Sequence, residues 1–274
     1  MRNAAAAGLL ADGFKEGAAG RFEETVRGTN IKIVLQYDGT RYDGWQKQGN
    51  TDRTIQGRLE RILERMTGQP VEVYGSGRTD AGVHALRQTA NFYLPPDSQG
   101  KEWTPEAARD ALNRYLPEDI AVLEADHVPE RFHSRLHAVS KTYLYRIETA
   151  KRADVFQRKY VYILGRTLDA DAMERAALFL AGRHDFRGFS SLKRTRKSTV
   201  RTLDLPEIRT EKSRVELRFT GDGFLYHMVR IMAGTLIEAG LHERSAESVR
   251  EVLESGDRSL AGFTAPPQGL FLAD

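Results

Sequence analysis

From Ile31 onward the apolar positions of the chain recur with two different periods. Ile31, Ile33, Leu35 and Tyr37 fall on every second residue, the spacing of a strand with one buried face. Ile55, Leu59, Ile62, Leu63 and Met66 recur at three and four residues, the stripe of an amphipathic helix, and Gly68 and Pro70 stop the run. Strands are predicted at 71–74 and 89–94. Thr104-Pro105 then opens a helix with Ala108, Leu112, Tyr115 and Leu116 on its apolar side, and 120–123 reads as a further strand. The first half of the chain is therefore β-α-β-β-α-β.

The second half has a similar order. Residues 141–149 alternate as a strand, and 169–181 form a capped helix ended by Gly182. Residues 200–208 and 214–220 read as paired strands. Residues 226–239 make a helix closed by Gly240, Ser245 caps another that ends at Gly256, and 270–272 is a last short strand. The predicted class is α+β: two tandem ferredoxin-like β-α-β-β-α-β halves, 30–126 and 127–274, sharing one mixed, largely antiparallel sheet with a central cleft. Residues 1–29 are rich in alanine and glycine with balanced charges, and read as a disordered or loosely attached extension.

Composition narrows the chemistry. The 274 residues, 40% of them hydrophobic, are enough for a substantial core. No apolar run approaches the roughly 18 residues needed to cross a bilayer, so the expectation is a soluble cytoplasmic protein with no membrane partner. The absence of cysteine rules out disulfides, thiolate nucleophiles and zinc-thiolate sites. Net charge is only +3, but the cations are grouped. Arg183, Arg187, Lys193, Arg194, Arg196, Lys197 and Arg201 are opposed only by Asp185, with Phe186 and Phe189 interleaved. Arg131, Arg135, Lys141 and Arg146 are interspersed with His133, His137, Tyr143 and Tyr145. One such run is as readily a solvated face. Two, rich in arginine and aromatics, point to nucleic acid, because guanidinium groups bind phosphate in bidentate fashion and rings stack on unpaired bases.

Among the acids, Asp38-Gly39, Asp43-Gly44 and Asp222-Gly223 are most simply turn formers, the last a tight hairpin. Asp80 lies in a different setting, the glycine-rich segment 75–82 between strands, where backbone and substrate can approach closely. Composition by itself would make it a structural aspartate. Arg230 changes the weighing, for it stands in Phe224-Leu225-Tyr226-His227-Met228-Val229-Arg230-Ile231-Met232-Ala233-Gly234, a helix start apolar on nearly all sides. A guanidinium buried there requires a partner, and a carboxylate from elsewhere in the fold is the economical one.

Gly77-Arg78-Thr79-Asp80-Ala81-Gly82-Val83-His84 resembles the signature of the tRNA pseudouridine synthase A (TruA) family. Tyr37-Asp38-Gly39-Thr40 with Gly44-Trp45-Gln46, Phe132-His133-Ser134-Arg135, Lys141-Thr142-Tyr143-Leu144-Tyr145, His227-Met228-Val229-Arg230 and Gly269-Leu270-Phe271-Leu272 resemble further family segments, so the likeness spans 31–272. It implies the pseudouridine synthase fold, with Asp80 as catalytic carboxylate and Arg230 as its ion-pair partner. It further implies that Tyr143 packs on the target base, Arg78 and Arg135 contact RNA and Leu270 lines the pocket. The implied substrate is tRNA, on the 3′ side of the anticodon stem-loop, and the implied active form is a homodimer. No cofactor and no metal are implied. Two rivals remain weaker: a tRNA-binding or tRNA-folding protein without catalysis, against which Asp80, Tyr143 and Arg230 together argue, and a C5-methyltransferase, which would want a cysteine. A metal-dependent nuclease would need clustered ligands, and His133 and His137 lie among cations that repel a metal ion.

Overall fold

The computed structural model describes residues 28–97, 99–192 and 196–274. The extension expected at 1–29 lies outside the described residues apart from its last two, and Thr29 already belongs to the first strand. Lys193 and Arg194 of the basic run are likewise outside them.

The first unit comprises β1 (Thr29–Tyr37), α1 (Ile55–Thr67), β2 (Tyr74–Gly75), β3 (His84–Leu94), α2 (Pro105–Tyr115) and β4 (Ile120–His127). Helix starts follow from capping. The Thr54 hydroxyl accepts from the Gly57 N–H, Thr104 does the same for Ala107 with Pro105 in the first turn, and Gly68 leaves α1 in the left-handed region. The second unit comprises β5 (Lys141–Glu148), β6 (Tyr162–Ile163), α3 (Ala170–Ala177), β7 (Gly182–Asp185), β8 (Val200–Leu203), β9 (Glu207–Glu211), β10 (Arg214–Gly221), α4 (Met228–Gly240), α5 (Ser248–Ser255) and β11 (Leu270–Leu272). Asp169 caps α3 through the Ala172 N–H.

Among the described residues all eleven strands belong to one sheet, whose main path runs β4-β1-β3-β11-β5-β10-β8-β7. Its first three strands with β2, and then β11-β5-β10-β8, give the same antiparallel order twice, fourth-first-third-second, which is the ferredoxin-like arrangement the sequence predicts. The two units meet where β11 joins β3 in parallel, with Phe271 opposite His84 and Leu272 opposite Ala85. One apolar core extends along this junction, with Ile31, Ile33, Leu35 and Tyr37 of β1 continuous with Tyr143, Tyr145 and Ile147 of β5.

Where local pattern and structure differ, hydrogen bonding explains the difference. Val71 and Val73 are buried as a strand there would have them, but the sheet strand is only Tyr74–Gly75. The Val73 N–H donates to Glu60 and its carbonyl accepts from Gln56, both side chains of α1, so its backbone has no need of a ladder. The stretch 200–208 is two strands separated around Pro206, which has no N–H to donate: β8 pairs β7 and meets β10 at Gly221, while β9 pairs β10 further along. Asp222-Gly223 is not a hairpin. After Gly221 the chain turns toward α4, while Asp222 pairs with Thr202 through its backbone N–H at 3.1 Å and its carboxylate at 3.0 Å, extending the contact with β8. Two helices are shorter than their periodicity suggests. The last turn after α3 is a 3-10 segment, Leu178–Leu180, and α5 begins at Ser248 with no side-chain cap.

Gly234 lies in α4 where the segment 261–265 crosses it; a Cβ there would stand 1.9 Å from the Phe263 carbonyl oxygen. An ordinary helical glycine gains roughly 1 kcal/mol on replacement by alanine. Here the clash is with backbone, so Gly234→Ala is expected to destabilise by about 1–3 kcal/mol instead. The midpoint of urea unfolding reports the sign directly.

Candidate active site

The segment 76–83 leaves the sheet between β2 and β11, both of which pair with the same edge of β3. It is rigidly tied. The Ser76 N–H donates to the Thr89 carbonyl at 2.8 Å, and the buried Gln88 amide donates to the Gly77 carbonyl at 3.0 Å. The Thr79 hydroxyl bonds the buried Tyr37 phenol at 2.8 Å, and its carbonyl accepts from the Trp45 N–H at 3.1 Å. The Gly82 N–H donates to Tyr42 at 3.2 Å. Gly75 must be glycine because its Cβ would fall 2.5 Å from the Trp45 indole. Asp80 is thereby fixed on a loop with little freedom, its side chain three-quarters buried.

Opposite stands the first turn of α4. Arg230, whose side chain is only 13% exposed, donates through Nη1 to Asp80 Oδ2 at 3.3 Å and through Nε to the Ala265 carbonyl at 2.6 Å. The Arg230 carbonyl in turn accepts from the Ala265 N–H at 3.0 Å. The partner that an arginine in this apolar helix requires is thus a carboxylate 150 positions away. His227 Nε2 lies 3.6 Å from the same Asp80 oxygen. Burial pushes the His227 imidazole below its ordinary value; Asp80 opposes that shift, while Arg230 and Arg258 reinforce it.

Tyr143 rises from β5 beside this pair, its ring edge-to-face on Phe224 with centroids 5.1 Å apart. Burial first, and then the negative charge of Asp80, push its phenol well above the ordinary range, so the hydroxyl stays protonated at neutral pH. Asp80, Arg230, Tyr143, Arg78, Arg135 and Leu270 all line one cleft of about 910 Å³. Its rim is crowded with cations. Burial and then Arg135 lower the Arg78 guanidinium, while burial and then Arg135 and Arg201 lower the Lys141 ammonium. Neighbouring cations that disfavour one another's charge form a site for a polyanion. Among the described residues there is no group of three or more histidines or carboxylates able to hold a metal ion.

The family model described as tRNA pseudouridine synthase matches residues 33–136 and 176–274. The chain belongs to the tRNA pseudouridine synthase family. Among its relatives, tRNA pseudouridine synthase A of Bacillus sp. (strain KSM-64) is 48% identical, covering 89% of this chain and 97% of its own. At the same coverage, tRNA pseudouridine synthase A 2 of Clostridium tetani (strain Massachusetts / E88) is 45% identical. A chain in a solved Cbf5-Nop10-Gar1 complex is similar only at a TM-score of 0.33 and 12% identity, over 87% of this chain and 47% of that one.

Within this family member, parts of the basic runs serve the core instead of the surface. Phe186 and Phe189 are fully buried and pack against each other, with ring centroids 6.2 Å apart. Tyr145 is also buried, its hydroxyl donating to the Pro266 carbonyl at 2.9 Å, and Arg146 pairs with Glu216 at 3.0 Å. Conversely, Phe224, Tyr226 and His227 line the cleft although sequence reasoning gave them no role. His227 lay inside a quoted motif, but nothing local revealed that its backbone adopts φ 63° and so turns it out of the helix.

Arg230→Met would strip the donors from both Asp80 and the Ala265 carbonyl. It is expected to cost about 1–3 kcal/mol of stability. In a cycle with Asp80→Asn the double variant should lose less than the sum of the single losses, as measured by urea unfolding.

Proposed function

We propose that the protein isomerises uridine to pseudouridine in tRNA, with Asp80 as the catalytic carboxylate. The observation that carries this reading is the meeting of Asp80, Arg230 and Tyr143 in one cation-rimmed cleft; membership of the tRNA pseudouridine synthase family supports it. In the reaction the bond from ribose C1′ to uracil N1 breaks, the base rotates while held, and a bond from C1′ to C5 forms. The proton lost at C5 balances the one gained at N1, so there is no net redox change or group transfer.

A carboxylate next to the sugar serves either route open to this chemistry: attack on C1′ as nucleophile, or removal of the C2′ proton to give a glycal. Arg230 pairs with the carboxylate and fixes one of its oxygens. Tyr143 supplies an aromatic surface to retain the detached uracil, and as a protonated phenol it can donate a hydrogen bond or relay a proton. Leu270 contributes an apolar wall. Arg78, Arg135, Lys141 and Arg201 engage phosphates. Extruding the target base from its stack costs a few kcal/mol, which these backbone contacts offset.

By family resemblance the target lies on the 3′ side of the anticodon stem-loop, the protein acts in the cytoplasm as a homodimer, and 30–126 and 127–274 act as the two halves around the cleft. The reaction as drawn uses neither cofactor nor metal.

Unmodified tRNA transcript incubated with the protein alone, and mapped by carbodiimide-primed reverse-transcription stops, tests the activity. Stops are expected at discrete uridines, and none with wild type would refute the enzyme reading in favour of a tRNA-binding protein. Asp80→Asn should bind tRNA with near wild-type affinity yet yield no product. Arg135→Ala with Lys141→Ala should weaken binding and reduce the slope of log affinity against log salt by about one to two; an unchanged slope would remove both from the RNA contact.

A further inference from the structure

Building on the proposed isomerase activity, we infer that His227 is a positioning residue for Asp80, holding the carboxylate from the side opposite the sugar through a ring orientation set by Ser191. Its backbone is the first indication. His227 occupies the position before α4 with φ 63° and ψ 2°, a left-handed conformation in which asparagine or glycine is cheaper than histidine. Residues there normally return the cost by capping, yet the His227 side chain makes no capping hydrogen bond to the helix. The ring instead enters the cleft.

There it is gripped on several sides. Nδ1 lies 3.0 Å from the Ser191 hydroxyl, and the Tyr226 ring stacks on the imidazole with centroids 3.7 Å apart. Ser191 is itself anchored, because its N–H donates to the Tyr226 carbonyl at 3.2 Å and the Ser190 hydroxyl reaches the same oxygen at 3.2 Å. The charged groups that act on the imidazole are Asp80 from the loop, Arg230 from its own helix and Arg258 from the segment after α5. Burial first, and then the two cations, disfavour the imidazolium against the pull of Asp80, so the tautomer of the neutral ring is what matters.

A neutral imidazole has one N–H. If Nδ1 accepted nothing and carried the proton, the Nε2 lone pair would face the Asp80 carboxylate. When Nδ1 accepts from the Ser191 hydroxyl, Nε2–H points at Asp80 Oδ2, and only this tautomer is attractive. The gap of 3.6 Å is longer than a hydrogen bond, the loose form typical of a catalytic contact before substrate closes the site. Closure then holds Oδ2 between Arg230 and His227 and commits the other oxygen to the sugar. Lys197 and Arg201 line the same cleft as the imidazole.

Single-turnover rates and tRNA affinities of wild type, His227→Phe, His227→Gln and Ser191→Ala, together with ¹⁵N-histidine spectra of the RNA-free protein, test this. His227→Phe is expected to slow the single-turnover rate about 10–100-fold at unchanged tRNA affinity, the scale of a misplaced reacting group. His227→Gln, which keeps one donor and one acceptor, should recover most of that loss. Ser191→Ala, which leaves the backbone of α4 untouched, should slow the rate and shift the ring away from the Nε2–H tautomer seen in wild type. Asp80→Asn should lower the titration midpoint of His227, since it removes the anion that favours the imidazolium. The inference is overturned by a wild-type Nδ1–H tautomer, by a midpoint unmoved in Asp80→Asn, by a loss confined to tRNA affinity, or by Ser191→Ala behaving as wild type in both rate and spectrum. A wild type without turnover would overturn the proposed function and this inference together, whereas an active wild type with a fully active His227→Phe would overturn the inference alone.

Discussion

Burying Arg230 is the constraint around which the site is arranged. A guanidinium this deeply desolvated is tolerable only if its donors are used, and they are used in two directions: Nε toward the Ala265 carbonyl and Nη1 toward Asp80. Ala265 precedes β11, and β11 is the strand that joins the two ferredoxin-like units by lying parallel to β3 and antiparallel to β5. The same short segment therefore aligns three things at once. It fixes Arg230 through Ala265, sets β5 and thus Tyr143 through the pairing of Leu272 with Tyr143, and places Leu270 in the cleft wall. A three-residue strand can have that influence because the edge of β3 is divided between it and β2, leaving a gap from which the Asp80 loop projects.

Charge is graded around that pair. At the floor, one cation and one anion meet beside a buried neutral phenol, where interactions are strong because water is scarce. At the rim, Arg78, Arg135, Lys141 and Arg201 stand close enough to disfavour one another's charge. That repulsion is relieved when a phosphate backbone enters, so part of the favourable free energy of RNA binding comes from the protein's own crowded cations. A net charge of only +3 understates this local excess: the cleft is lined by Arg78, Arg135, Lys141, Lys197, Arg201 and Arg230 against Glu72 and Asp80.

The fold was legible in the sequence where hydrophobic period and caps agreed, as for β1, α1, α2 and β5. It was not legible where long-range partners decided. The 71–74 stretch has the alternation of a strand, but Gln56 and Glu60 occupy the backbone of Val73. Asp222 has turn chemistry, but Thr202 captures it from another strand. For the site, the apolar surroundings of Arg230 implied an unknown carboxylate, and the eight-residue signature around Asp80 supplied a candidate; the contact between them is the point at which two independent readings coincide. The aromatics of the basic runs misled because spacing cannot distinguish a base-stacking ring from a core ring, and Phe186, Phe189 and Tyr145 are core. His227 was missed because its importance comes from one backbone torsion, which no periodicity encodes.

The two walls of the cleft come from different parts of the chain, and this bears on how RNA binding reaches the chemistry. Apart from the Arg230 contact to the Asp80 carboxylate, the Asp80 loop is tethered to the first unit, through Tyr37, Tyr42, Trp45, Gln88 and Thr89. Arg230, His227 and Tyr143 belong to the second. The cations divide the same way, with Arg78 on the loop and Lys141 and Arg201 on the facing strands. A tRNA backbone contacting both sets, as in the proposed reaction, would draw the walls together, and the contact spanning them is the one from Asp80 to Arg230 and His227, at 3.3 and 3.6 Å. Under the proposed function, binding energy from phosphates remote from the reacting sugar would thereby be directed to the carboxylate proposed to act on it.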